Sequence, residues 1–289
     1  MINREVLSDG DSYIKGLKEA VAYLREHIPS VPRVTLVTGS GLGNIASAIE
    51  NRITIPFGDI PHFPLSTVKG HEGNLIFGSL EGQDVAVLQG RVHLYEGYPA
   101  SMVAFPVRSL GLLGSEIFFA TNSAGGLNGK LKIGDLMLIT NHISLFGDDP
   151  TIGVYHPELG ELFYDVYEPY DPTLCNIARA AFEEHNIPHG EGTYSIYKGC
   201  SYETKAEIEM LRRMGADAVG KSTVPEVLAA KQLGMRVVGI SCITADVSPE
   251  AMLKRKTSIN HKDILEAGKL CERNLEIVIK EIFKQLHEV

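Results

Sequence analysis

Four short polar clusters carry residue types that could hold an anion beside a sugar or a ring. The first is Gly39-Ser40-Gly41-Leu42-Gly43. Its glycines let successive backbone N–H groups converge on an anion at a helix N-terminus, and Ser40 adds a hydroxyl donor. It lacks the Lys-Ser/Thr ending of a P-loop and the spacing of a dinucleotide fingerprint, and a simple tight turn has the same composition. The second is Gly90-Arg91-Val92-His93-Leu94-Tyr95-Glu96-Gly97. On an extended backbone Arg91, His93 and Tyr95 share one face, a guanidinium, an imidazole and a phenol suited to an oxyanion next to a sugar; an exposed edge strand reads the same way. The third, Asn122-Ser123-Ala124-Gly125-Gly126, is small enough for close backbone approach to a ligand, as is a structural turn. The fourth joins Gly199–Thr204 to Gly220-Lys221-Ser222-Thr223-Val224-Pro225-Glu226. Tyr202 offers a stacking face and Glu203 a carboxylate acceptor, while Ser222 and Thr223 could cap a helix starting near Pro225 and also bind an anion. Taken alone, Glu203 reads equally as a cap for the helix after it.

For these clusters to act together, strands must deliver them to one place. Val34–Thr38 is β-branched and too short for a helix, and it runs into the first cluster. Asn74–Leu80 and Asp84–Gln89 read as a hairpin turning at Glu81-Gly82-Gln83, which leads into the second. Ile117–Thr121, Leu136–Thr140, Tyr194–Tyr197, Ala216–Val219 and Arg236–Ile243 are further short apolar strands. Between several of them lie helical patterns at Val103–Leu113, Leu174–His185, Thr204–Met214 and Pro225–Leu233. Ile14, Leu17, Val21, Leu24 and Ile28 recur at helical spacing before Pro29 and Pro32, and His261–Leu286 reads as a long closing helix. This alternation predicts a single α/β domain over residues 1–289, with a mixed twisted central sheet flanked by helices and ligands gathered where strands end. Residues 147–171, rich in Gly, Pro, Tyr and Asp, form an irregular excursion suited to function or subunit contact.

Composition removes several function classes. Among 289 residues, 36 acidic against 27 basic side chains give a net charge of −9, the wrong balance for a general nucleic-acid binder. Hydrophobic residues at 44% and charged residues at 22% support a real core. Cys175, Cys200, Cys242 and Cys271 show no zinc spacing and no disulfide framework, which favours free thiols in a reducing compartment. Arg4, Glu5 and Asp9 stand where a signal peptide would be apolar, and Arg108 and Glu116 interrupt the most apolar tract. A cytoplasmic protein with no membrane contact is expected.

Read in order, GSGLG from Gly39, the stretch from Phe63 to His71, QGRVHLYEGYP from Gln89, TNSAGG from Thr121, GTYSIYKGCSYET from Gly192, GADAVGKSTVPEV from Gly215 and INHKDIL from Ile259 resemble the trimeric family of purine nucleoside phosphorylases and methylthioadenosine phosphorylases. The resemblance covers nearly the whole chain. It implies that inorganic phosphate, a co-substrate, attacks the anomeric carbon of a nucleoside to release free base and (deoxy)ribose 1-phosphate, with no metal and no other cofactor. It assigns phosphate to Ser40, His71, Arg91, His93, Ser123 and Ser222, with His71 on a closing loop. It assigns the ribose to Tyr95, the position of Lys221, His261 and Phe163, the last reaching from a neighbouring subunit of a homotrimer. The base falls to Tyr202, Glu203, Val219, Thr244, Ala245 and Asp246, and the reacting centre to Glu203, His93 and Arg91.

Two positions depart from the family pattern. Purine-specific members read Ile-Thr-Asn where this chain reads Ile243-Thr244-Ala245-Asp246, so the Asn that donates to the leaving purine is missing. Lys221 replaces a Met packed on the ribose, and a buried lysine needs a carboxylate or the phosphate as partner unless it points outward. The expected activity is phosphorolysis of inosine and guanosine with altered or broadened base selectivity, adenosine and cytidine included. The alternatives are a methylthioadenosine or adenosine phosphorylase, disfavoured because His261 suits a 5′-hydroxyl and the Asp is displaced, and a nucleoside-binding homologue impaired in catalysis.

Overall fold

The computed structural model describes residues 7, 9–39, 43–68, 71–145, 148–254 and 261–288, with residues 43, 44, 261, 262 and 288 described by backbone alone. Asp9 caps α1 (Gly10–His27), accepting from the Ser12 N–H at 2.9 Å, and the helix stops at Ile28 before Pro29. Its buried stripe includes Ile14, Leu17, Val21 and Leu24, as the helical spacing predicts.

The strands are β1 (Val34–Thr38), β2 (Glu50–Pro56), β3 (Asn74–Leu80), β4 (Gln83–Gln89), β5 (Ile117–Gly126), β6 (Leu136–Ile143), β7 (His189–Ile196), β8 (Ala218–Gly220) and β9 (Arg236–Asp246). They make one nine-stranded mixed sheet in the order β2-β3-β4-β1-β5-β8-β7-β6-β9, with β9 also paired to β5. That last pairing closes the circuit β5-β8-β7-β6-β9 upon itself, so this half of the sheet is barrel-like rather than open. The helices that cover it are α2 (Ala100–Leu113), α3 (Pro172–Glu184), α4 (Lys205–Arg213), α5 (Val224–Gln232), α6 (Pro249–Lys254) and α7 (His261–Gln285). Helix α2 packs on α1 and α5, and α7 on β9 and α3. Val237 to Ala245 on β9 are buried without a break, as a strand covered on both faces requires.

Three features differ from the reading of the sequence. Strand β2, charged and largely exposed, is an antiparallel edge strand that its Glu-Asn-Arg start disguises. Residues 122–126 are strand, not a turn after one: β5 continues through Gly126 because β9 runs beside it as far as Asp246. The register of that pair jumps from Ala124↔Ile243 to Gly125↔Ala245, leaving Thr244 as the extra residue of a β-bulge. The excursion over described residues 148–171 is irregular as expected, apart from a short 3-10 turn at Pro157–Leu159. No helix among the described residues is long and apolar enough to cross a membrane.

Candidate active site

The ends of β4, β5, β8 and β9 surround a cavity of about 470 Å³. One end is polar, lined by Gly39, His71, Arg91, His93, Ser123 and Ser222; the other is lined by Tyr202, Glu203, Val219, Lys221, Ala245 and Val247. Tyr95 and Thr244 also face it. Of the residues singled out from sequence, the structure therefore brings together members of all the clusters. Ser40 lies outside the described residues, and of His261 only the backbone is described. Asp246 does not line the cavity; its Oδ1 accepts from the Ser248 N–H at 2.9 Å, closing a turn after β9. Phe163 is 91% exposed and is not part of the cavity of its own chain.

At the polar end Arg91 is nearly fully buried. Its Nη1 donates to Ser222 Oγ and Thr223 Oγ1, both at 3.1 Å, and its Nη2 donates to the Thr121 carbonyl at 2.8 Å. Its Nε lies 3.4 Å from Glu226 Oε1, with both side chains at most 3% exposed. Burial pushes the Glu226 carboxyl up, and the Arg91 guanidinium opposes that shift. Neither Ser222 nor Thr223 caps α5 through its hydroxyl. Thr223 takes φ 74°, a conformation uncommon outside glycine, and its Oγ1 is held there by Arg91 and by Asn122 Nδ2 at 3.0 Å.

Burial, reinforced by the nearby His93 and Arg91, pushes the His71 imidazole down to about 3. His71 Nδ1 accepts from the Arg91 N–H at 2.7 Å, so the proton of the neutral ring sits on Nε2, making it a donor. Glu96 Oε1 accepts from the His93 N–H and meets His93 Nδ1, each at 2.8 Å. Burial raises the Glu96 carboxyl, but hydrogen bonds from His93 and Thr67 outweigh it and hold it at about 2. Tyr95 does not continue an extended backbone, because Leu94–Glu96 is a 3-10 turn. Its ring instead stacks on His93 with centroids 4.6 Å apart, and burial raises its hydroxyl so that it remains a phenol.

At the other end, Thr204 and Glu207 form the capping box of α4, so Glu203 is not the cap. Glu203 turns to Lys221, whose Nζ lies 3.2 Å from its Oε1 and also donates to the Ser201 carbonyl at 2.7 Å. Lys221 thus has the carboxylate partner that burial demands. The bulge at Thr244 explains why two consecutive residues of one strand, Thr244 and Ala245, both reach the cavity.

Sequence reasoning missed Glu96 and Glu226, the carboxylates behind His93 and Arg91. The spacing of Glu96 three residues after His93 was a usable signal; the pairing of Glu226 with Arg91 depends on the tertiary fold. Among the described residues the one cluster with metal-ligand geometry is Glu184, His185 and Glu281, which lies outside the cavity.

Residues 33–284 match the model of the phosphorylase superfamily. The chain belongs to that superfamily, within its purine nucleoside phosphorylase family. It is 43% identical over 269 residues to purine nucleoside phosphorylase 1 of Bacillus subtilis (strain 168), covering 93% of this chain and 98% of that one. It is 48% identical over 228 residues to purine nucleoside phosphorylase 1 of Geobacillus stearothermophilus, covering 79% and 83% of the two chains. The fold superposes on a Schistosoma purine nucleoside phosphorylase solved with hypoxanthine, with TM-score 0.89, 35% identity, and coverage of 98% and 99%. The mixed sheet flanked by helices is thus the family fold, as the sequence resemblance implies.

Proposed function

We infer that this chain, one phosphorylase domain over residues 1–289, catalyses the reversible phosphorolysis of purine (deoxy)ribonucleosides to free base and (deoxy)ribose 1-phosphate. The observation that carries this reading is the union, in one cavity, of an anion end with an apolar end carrying one carboxylate and one aromatic face. Phosphate binds among Arg91, His93, the His71 Nε2–H, Ser222, the Ser123 backbone and Ser40. Charge-assisted and backbone donors fix it in line with the bond to be broken. Tyr95, the Lys221 stem and His261 meet the ribose. The purine stacks on Tyr202, 42% exposed, against Val219, with Glu203 on its hydrogen-bonding edge and Thr244 and Ala245 on the far side.

The oxocarbenium-like transition state places positive charge on the sugar, which the phosphate stabilises, and negative charge on the departing base. Phosphate is the nucleophile and a co-substrate, so the chemistry requires no metal and no organic cofactor. Phe163 completes the site of a neighbouring subunit in a homotrimer, and the protein works in the cytoplasm. The small Ala245 broadens base choice beyond 6-oxopurines. Phosphate-dependent release of hypoxanthine from inosine, measured beside guanosine, adenosine and cytidine, tests the reading. Activity confined to inosine and guanosine would remove the broadened selectivity, and no phosphate-dependent cleavage of any nucleoside would remove the enzyme.

A further inference from the structure

Lys221 carries the only ammonium among the described residues that line the cavity, and its Nζ is turned to Glu203. Its Nζ is fixed from four sides. It donates to the Ser201 carbonyl at 2.7 Å and to Glu203 Oε1 at 3.2 Å, and lies 4.8 Å from the centre of the Tyr197 ring and 6.0 Å from that of Tyr202. The side chains of Lys221 and Glu203 are 19% and 6% exposed, so water screens the pair poorly. Val219, Ala245, Val247 and Ile264 around them carry no polar side-chain atom. Thr244 Oγ1 donates to the Ala124 carbonyl at 3.4 Å and the Cys200 thiol to the Tyr95 carbonyl at 3.8 Å, so both point their hydrogens at backbone.

In phosphorolysis a phosphate oxygen bonds to the anomeric carbon while the carbon–nitrogen bond breaks, and its electron pair leaves on the base. The base then takes a proton from water. A carboxylate facing that base alone would oppose the growing negative charge. An ammonium locked against the carboxylate offsets that repulsion, and it does so without reorganising during the reaction. We propose that Lys221 stabilises the negative charge on the departing base, acting from its ion pair with Glu203. This role rests on phosphorolysis being the reaction, and it gives a lysine inside a nucleoside pocket a chemical purpose.

The test compares inosine with 7-methylinosine, whose quaternised ring lets the base depart without net negative charge. Lys221→Met is expected to lower kcat for inosine roughly 10- to 100-fold, and to lower that for 7-methylinosine several-fold less, so that the ratio of the two losses reads the charge apart from the ribose contact that both substrates share. Lys221→Arg, which keeps the charge, is expected to recover most of the inosine rate. Equal losses on both substrates would mean that Lys221 only shapes the pocket, and would overturn the proposal, as would an unchanged inosine rate or an arginine variant as slow as the methionine one. Circular dichroism verifies folding; if Lys221→Met does not fold, Lys221→Gln supplies the same comparison. A wild-type protein that cleaves neither nucleoside with phosphate would instead refute the phosphorolysis on which the role depends.

Discussion

Arg91 lies between Glu226 and the hydroxyls of Ser222 and Thr223, so removing it changes two things at once. Arg91→Ala is expected to raise the KM for phosphate roughly tenfold or more through loss of a charge-assisted donor. It also strands a buried carboxylate, costing about 3–5 kcal/mol of stability. Adding Glu226→Leu should restore much of the melting temperature and none of the phosphate affinity; recovery of both would remove Arg91 from the anion site. His71 supplies a second prediction, in pH. The unfolded chain protonates this histidine near 6.5 and the folded one only near 3, so its contribution to stability is complete above 6.5 and declines as pH falls toward 3. His142, lowered to about 4 by burial, has the same sign, whereas Glu96 loses its contribution only between 4.5 and about 2. Between pH 7 and 5, thermal melts of His71→Asn should therefore decline less steeply than wild type, by at most about 1.4 kcal/mol per pH unit. An identical slope would contradict the neutral, buried ring. The polar side chains that line the cavity were legible one by one because their chemistry is local. Their supporting carboxylates were not, because nothing near Arg91 in sequence announces Glu226.

Elements set the spacing of the two ends of the cavity. Strand β8 is only three residues long, yet Val219 and Gly220 on it and Lys221 and Ser222 just after it all line the cavity. Its fit is tight: a Cβ at Gly220 would collide with the Tyr194 hydroxyl, which donates to the Ser222 carbonyl and accepts from the Ser222 N–H, both at 3.3 Å. Gly220→Ala is expected to cost about 1–3 kcal/mol and to weaken phosphate and nucleoside together, because it displaces Ser222 and Lys221 as a unit; kinetics that shift for one substrate alone would argue against this coupling. The regular elements were largely visible in sequence, with β1 and the hairpin of β3 and β4 nearly to the residue and the long α7 from its apolar stripe. What escaped was strand built by partners: Ser123-Ala124-Gly125-Gly126 has the composition of a turn, and its neighbours β9 and β8 make it a ladder. Strand β2 escaped for the converse reason, since an exposed edge needs no apolar alternation.

At the scale of the whole molecule, the exposed large apolar residues concentrate in and beside the irregular excursion. Leu145, Ile152, Phe163 and Tyr167 are 72%, 75%, 91% and 85% exposed, a pattern that suits a covered surface better than a solvated one. In the proposed trimer Phe163 serves a neighbour. Phe163→Ala is then expected to raise the KM for nucleoside about tenfold with little change for phosphate. Mixing it with Arg91→Ala protein under subunit exchange should restore part of the activity, because Arg91→Ala subunits still lend their Phe163; a mixture no better than its parts would place Phe163 in its own site or in none. The net charge of −9 agrees with this picture of an acidic exterior around a small internal anion site, and excludes only extended polyanions.

The bulge between β5 and β9 has an evolutionary consequence. Inside most strands an insertion or deletion flips every later side chain to the wrong face, but the pairing on either side of Thr244 is already in register. The chain can therefore change length here without moving its neighbours. Deleting Thr244 should leave the melting temperature within a few degrees of wild type and preserve the need for phosphate while changing which bases are released, as melts and a nucleoside panel would reveal. An indel at this one point would act as a substitution in the pocket.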